Sequence, residues 1–203
     1  MPALPRSPAA ERNRQPILDV LRAVLPEHGA ALEIAAGTGQ HASWFAQALP
    51  GWTWQPTDAD AGMLPAIAAW TAHSGRGKVL PPLTLDVMAP RWPVEEGVFG
   101  AVYCANMLHI SPWATCRALM QGAARHLAPG GVLVTYGPYL EDDVPTSPGN
   151  LAFDADLRAR NSTWGIRRCE DVAQEAKAAG LWLQARHALP SNNLLLVFGR
   201  SLP

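Results

Sequence analysis

The segment Leu32-Glu33-Ile34-Ala35-Ala36-Gly37-Thr38-Gly39-Gln40-His41 places an acidic residue just ahead of a run of small ones. Small residues let a ligand approach the backbone, and a helix opening behind the glycines presents unpaired N–H groups. Asp58 follows 19 residues after Gly39, the spacing at which doubly wound sheets hold ribose hydroxyls. Asp86 closes a third apolar run. Glu33, Asp58 and Asp86 thus fall at the ends of successive predicted strands, where they can bind hydroxyls and cations. A carboxylate before the glycines repels a pyrophosphate and attracts an ammonium group. S-adenosylmethionine carries an ammonium, a sulfonium and a ribose diol, and no phosphate. Gly37-Thr38-Gly39-Gln40-His41-Ala42 also satisfies the Gly-x-Gly-x-x-Ala pattern, so an NAD(P)-dependent oxidoreductase stands as an alternative. A non-catalytic module that binds the cofactor and regulates a partner is a third reading.

Other side chains suit acceptor chemistry. His109 follows the fourth predicted strand and, with an ordinary pKa near 6.5, is a candidate general base. Tyr136 and Tyr139 sit where the fifth strand is expected to leave the sheet, each with a ring and a hydroxyl, Tyr139 being the second catalytic candidate. Asp154, Arg158, Asn161 and Trp164 form a dense polar and aromatic set in which arginine forks would suit a carboxylate or phosphate. The competing reading of that set is a helical lid whose Arg and Asp residues pair with each other. His41 opens the first helix after the glycines and is placed to touch the cofactor carboxylate. Cys104, Cys116 and Cys169 lack metal-ligand spacing, and no metal is expected.

These groups need an alternating scaffold. Ser7-Pro8 reads as a helix N-cap with proline at the first turn, and apolar residues at helical spacing continue beyond Pro16 to Leu25, giving an N-terminal helical segment over 7–25. Strands are predicted over 30–35, 52–56, 83–85, 101–105 and 132–136, and helices over 40–49, 63–73 and 112–127, with 75–77 as a loop. Periodicity is lost from 137 to 168, as in a lid or acceptor-binding insertion. A helix over 170–179 and a hairpin over 181–198 complete the chain. Alternation at this spacing implies parallel crossovers.

The 203 residues carry 16 Lys+Arg against 17 Asp+Glu, so no basic excess exists to bind nucleic acid, and none is expected as a partner. Hydrophobic residues make up 48%, enough for a folded core. The length fits a single domain over 1–203. No apolar run is long enough for a signal peptide or membrane helix, so the expectation is a cytoplasmic protein with no membrane partner.

Glu33-x-Ala-x-Gly37-x-Gly39, Pro56-Thr57-Asp58, Leu85-Asp86-Val87, the run Ala101 to His109 and Leu127-Ala128-Pro129-Gly130-Gly131 together resemble a class I S-adenosylmethionine-dependent methyltransferase. More narrowly, Ala10-Glu11-Arg12-Asn13, Asn106 to Trp113, Tyr136-Gly137-Pro138-Tyr139 and Phe153 to Arg167 resemble an uncharacterised methyltransferase-like family shared by bacteria and eukaryotes. The resemblance implies an α/β, Rossmann-like fold: a seven-stranded, mostly parallel sheet with an antiparallel last strand and helices on both faces. It implies that Glu33, Gly37 and Gly39 line the methionine moiety of S-adenosyl-L-methionine. Asp58 would take the ribose diol, Asp86 and Val87 the adenine edge, and Asn106 and Met107 the floor under the sulfonium. The implied reaction is in-line methyl transfer to a small-molecule acceptor, leaving S-adenosylhomocysteine. Ala35 stands where the family pattern has its first glycine.

Overall fold

The computed structural model describes residues 4–74 and 78–200; the expected loop at 75–77 lies outside the described residues. Helix α1 spans Pro8–Val24. Ser7 caps it, its hydroxyl accepting the Ala10 N–H at 3.3 Å, and Pro16 sits inside it without ending it. Next come β1 (Gly29–Ile34), α2 (Gln40–Ala48), β2 (Trp52–Asp58), a single 3-10 turn (Ala61–Met63) and α3 (Leu64–Ser74). Two very short strands, β3 (Lys78–Val79) and β4 (Leu83–Thr84), precede β5 (Phe99–Ala105), α4 (Trp113–His126) and β6 (Leu127–Leu140). The chain then runs through α5 (Pro148–Arg160), β7 (Arg167–Arg168), α6 (Cys169–Ala178), β8 (Trp182–Leu189) and β9 (Asn193–Gly199).

The sheet order is β3-β2-β1-β5-β6-β9-β8, with β4 also beside β2 and β7 beside β6. All pairings are parallel except those of β9 with β6 and β8. Seven strands with an antiparallel last one are as the resemblance implied; β7 and the split of the third strand into β3 and β4 are additions. Because β5 lies on the far side of β1 from β2, the chain reverses direction across the sheet at β1, and a crevice opens at the carboxyl ends of β1 and β5.

Strand side chains alternate between faces. On β5, Val102 and Cys104 pack with Leu119, Met120 and Val172 from α4 and α6, whereas Ala101 and Tyr103 pack with Ile17, Leu21 and Phe45 from α1 and α2. The same alternation corrects two sequence expectations. β6 runs on to Leu140 instead of leaving the sheet near Tyr136, so part of the expected lid is strand, and 13 residues of the rest form α5. Tyr136 and Tyr139, three residues apart on that strand, face opposite layers. Tyr136 joins the α1/α2 side, and Tyr139 is buried in the α4/α6 side.

The loop that carries Asp86 and Val87 is fixed by Trp92. Its indole stacks on His126 with centroids 4.7 Å apart, and its Nε1 donates to the Val87 carbonyl at 3.3 Å. Gly122 on α4 makes room for the ring: a Cβ there would lie 1.9 Å from a Trp92 carbon. Alanine is otherwise the better helix former by about 1 kcal/mol. Gly122→Ala should nonetheless destabilise the protein by about 1–3 kcal/mol. Thermal unfolding would register this as a Tm lowered by roughly 2–4 °C for each kcal/mol. An unchanged or raised Tm would show that Trp92 does not hold this loop.

Candidate functional site

A cavity of about 400 Å³ opens at the crevice, within the range of roughly 300–1,000 Å³ that small-molecule sites occupy. Its floor is the turn after β1. Ala35, Gly37 and Gly39 have φ of +55°, +56° and +82°, all in the left-handed region. Gly39 is further constrained because a Cβ would lie 2.7 Å from the Ile67 backbone of α3. Ala35 takes a conformation that costs an L side chain about 1–2 kcal/mol, a physical reason for the glycine that the resemblance implies at this position.

Glu33, the last acidic residue before the turn, is 2% exposed and lines the cavity. Its Oε2 accepts the Trp54 indole N–H at 2.6 Å. Burial lifts its pKa to about 8; the Trp54 bond opposes the rise and the charge of nearby Asp58 adds to it. Asp58 closes β2 and faces the same cavity. Its Oδ2 accepts the Gly37 N–H at 2.9 Å and its Oδ1 the Asp60 N–H at 3.0 Å, so one carboxylate ties the glycine turn to the end of β2.

Asn106 and Met107 close the far wall. Asn106 follows β5 with φ +57°, a conformation asparagine tolerates better than most residues, and its N–H donates to the Tyr136 carbonyl at 2.8 Å. His41 also lines the cavity, yet its ring is engaged elsewhere: Nε2 meets Asn13 Oδ1 at 2.7 Å, Nδ1 meets the Tyr103 hydroxyl at 3.2 Å, and the ring stacks on Phe45. Burial lowers its pKa to about 4, so it is neutral at pH 7, with Nε2 donating to Asn13 and Nδ1 accepting from Tyr103.

Sequence reasoning missed Gln40. It is 3% exposed, and its Oε1 accepts both the Ser7 backbone N–H and, at 3.0 Å, the Thr38 hydroxyl. Those two donors fix which end of the amide is oxygen. Nε2 is left buried on the cavity wall without a hydrogen-bond partner among the described residues. A glutamine in a small-residue turn gives no signal in the sequence; its role depends on Ser7 from α1 reaching across.

Several expected site residues lie elsewhere. Asp86 is exposed, with Oδ1 accepting the Met88 N–H at 2.9 Å, and Val87 packs into the α4/α6 core; neither lines the cavity. Tyr139 donates its hydroxyl to Thr135 Oγ1 at 2.8 Å, and burial raises its pKa far out of reach of proton transfer. His109 is not among the residues lining this cavity: its ring packs edge-on to Phe153 and against Gly137, and its carbonyl accepts the Gly165 N–H at 3.0 Å. Burial, and then the Arg167 charge, lower its pKa to about 4.

The polar set on α5 is a brace. Arg158 Nε pairs with Asp154 Oδ2 at 2.8 Å, and Asp154 Oδ1 accepts the Ile166 N–H at 2.6 Å. Asn161 Oδ1 takes the Thr163 N–H at 2.9 Å, and Trp164 lies under the Arg160 guanidinium. Arg167 completes the brace by donating to the carbonyls of Leu108, Ser111 and Thr163. Of the expected acceptor residues, Tyr136 lines a second cavity. This second space, about 90 Å³, lies between α1 and the β8–β9 turn and shares Asn106 with the first. Among the described residues, no group of three or more His, Cys, Asp or Glu is placed to hold a metal ion. No described helix is long and apolar enough to cross a membrane.

The model of the DUF938 family, described as a protein of unknown function, matches residues 5–200. The chain belongs to this family. Its fold is that of class I methyltransferases. An O-methyltransferase family protein from Burkholderia thailandensis superposes with a TM-score of 0.74 at 22% identity, covering 95% of this chain and 57% of that one. CalO1, a methyltransferase in calicheamicin biosynthesis in its S-adenosylhomocysteine-bound form, gives 0.75 at 15% identity over 95% and 55%. The mitomycin 7-O-methyltransferase MmcR gives 0.76 at 14% identity, again over 95% and 55%. The DUF938 chain therefore spans little more than half the length of these structures.

The buried carboxyl makes a prediction by linkage. A folded-state pKa of about 8 against an ordinary 4.5 means that Glu33 favours the folded state fully below about pH 4.5, and that this contribution is lost as pH rises through 8. Glu33→Gln removes the ionisation while leaving an oxygen for Trp54. In the ligand-free protein, the Tm of the variant minus that of the wild type should grow between pH 5 and 8 and level off above. A difference independent of pH, in thermal scans at pH 5, 7 and 9, would refute the shifted carboxyl.

Proposed function

We propose that this DUF938 protein is an S-adenosylmethionine-dependent methyltransferase that acts on a small-molecule acceptor and releases S-adenosylhomocysteine. One observation carries the reading: the cavity at the sheet's reversal point is walled by two carboxyl groups, Glu33 and Asp58, with no Lys or Arg among the described residues that line it. Such a wall attracts a cationic adenosyl ligand, Glu33 giving up its proton as the cation arrives, while the Asp58 carboxylate repels a dinucleotide pyrophosphate. The Gly37 N–H, which a pyrophosphate would need, is already taken by Asp58.

The residues present fit the group. Glu33 would face the ammonium, and Gln40 Nε2, buried without a partner among the described residues, would supply a donor for the carboxylate at the same end. Asp58 would offer its oxygens to the ribose diol, and Asn106 and Met107, on the far wall, would hold the end of the cofactor that carries the sulfonium. When bound, S-adenosylmethionine supplies an electrophilic methyl group on a sulfonium. The chain's contribution is to orient and to exclude water. Ser7 and Ala10 at the start of α1 wall the cavity opposite the glycine turn, and Asn106 separates it from the smaller space where Tyr136 lies. Positioning of this kind supplies a large share of methyl-transfer acceleration. His41 holds Asn13 in one orientation and does no proton transfer. The three cysteines are buried free thiols, which fits a reducing compartment such as the cytoplasm.

Calorimetry tests the cofactor. S-adenosylhomocysteine should bind in the micromolar range, and NADH should not compete. Asp58→Ala should weaken that binding at least about tenfold, since it removes a charge-assisted contact worth roughly 1.5–3 kcal/mol and frees the turn. No heat with S-adenosylhomocysteine at several hundred micromolar would remove the proposal.

A further inference from the structure

The two neighbouring cavities differ in sign. The larger holds Glu33 and Asp58 and no basic residue; the smaller holds Arg12 and no acidic residue among its described lining. Arg12 has no ion-pair partner among the described residues, whereas its neighbours are engaged: Arg6 pairs with Glu11 at 3.1 Å, and Arg14 lies over the Trp44 ring at 4.0 Å. Asn106 stands between the two spaces and belongs to both walls.

The small cavity is furnished for hydrogen bonding. Besides Arg12 it is lined by Asn13, Tyr136, Ser191 and Asn193. Asn13 gives its oxygen to His41 at 2.7 Å, so its amide N–H groups are turned away from His41; burial raises the pKa of the Tyr136 phenol, and the polar side chains of Asn13 and Asn193 and the charge of Arg12 oppose that rise. Ser191 and Asn192 make a tight β8–β9 turn with φ of +65° and +54°. That strained turn is held from outside: Asn192 Oδ1 accepts the Ser147 N–H at 3.2 Å and Asn150 Nδ2 at 3.1 Å, and its carbonyl accepts Asn150 Nδ2 at 2.9 Å. Asn192 is thereby bound to the start of α5, while Ser191 and Asn193 line the cavity, Asn193 Nδ2 also donating to the Pro190 carbonyl at 3.3 Å.

We propose that this Arg12–Asn13–Tyr136–Asn193 pocket is an oxyanion site that anchors the acidic end of the methyl acceptor, with the rest of the acceptor extending past Asn106 toward the larger cavity. The inference rests on the methyltransferase reading. A cavity of about 90 Å³ takes a carboxylate or phosphate group and little more, so the ring or chain that bears it must lie outside, on the Asn106 side. The opposite signs then sort the two substrates: the cation is drawn to the carboxyl-lined space and the anion to the guanidinium-lined one.

The test uses the full chain saturated with S-adenosylhomocysteine and titrated with benzoate, phenyl phosphate and neutral benzamide. Benzoate or phenyl phosphate should bind saturably, the tighter of the two naming the anion, with benzamide at least about tenfold weaker. Arg12→Gln, an exposed substitution, should lower the anion's affinity about tenfold, the loss of one charge-assisted contact, with S-adenosylhomocysteine binding within about twofold of wild type. Tyr136→Phe should lower it by a smaller factor. Equal binding of benzamide, anion affinity unchanged in Arg12→Gln, or no anion binding at all would overturn the site. If the wild type fails to bind S-adenosylhomocysteine, the methyltransferase reading falls instead, and anion titration of the unliganded protein still decides the pocket.

Discussion

The buried Glu33 carboxyl is the constraint around which the rest of the site is arranged. A carboxyl group taken out of water must be neutralised, paired or paid for elsewhere, and here a single indole N–H from Trp54 offsets only part of the cost. The side chain is consequently kept protonated at neutral pH until a cation arrives. A second carboxylate, Asp58, is held at the same cavity by the backbone N–H groups of Gly37 and Asp60. The Asp58 charge adds to the cost of ionising Glu33, and a positively charged ligand relieves it.

The topology makes this arrangement possible. Because β1 is flanked by β2 on one side and β5 on the other, the ends of three strands deliver Glu33, Asp58 and Asn106 to one crevice. α1 then closes it from above through Ser7 and Ala10, and the same helix carries Arg12 and Asn13 into the adjoining space. The buried chain from Tyr103 through His41 to Asn13 ties that helix to β5, so the two cavities share one rigid wall. Neutral His41 suits this use, since a charged imidazole would offer Tyr103 no acceptor.

Local signals were sufficient wherever a residue's role depends on its immediate neighbours. The Ser7 cap, the helix behind Gly39, the buried strand ending at Ala105 and the hairpin at the end of the chain were all legible from caps, breakers and periodicity. The acidic residue before the glycines and the one after the second strand were legible for the same reason: a strand end fixes where its last side chain stands. The reading failed where periodicity was weak. A strand that continues through Gly137 and Pro138 looks like a loop in the sequence, which puts Tyr139 at an opening, whereas the two-residue alternation of a strand sends it to the opposite face from Tyr136. The Asp154–Arg158 pair has the spacing of an intrahelical salt bridge, and that is what it forms, with its second carboxylate oxygen holding Ile166.

By itself, then, the sequence determined the alternating α/β architecture, the family pattern and the acids at the ends of the first two strands, because each follows from spacing along the chain. Only the tertiary structure decided which of the remaining polar residues meet. It brought Ser7 onto Gln40, Asn13 onto His41 and Asn193 beside Tyr136, and it left Asp86, His109 and Tyr139 out of the lining of the two cavities. Those outcomes depend on how α1 and the β8–β9 turn pack over the sheet edge, contacts between segments far apart in the chain that no local pattern encodes.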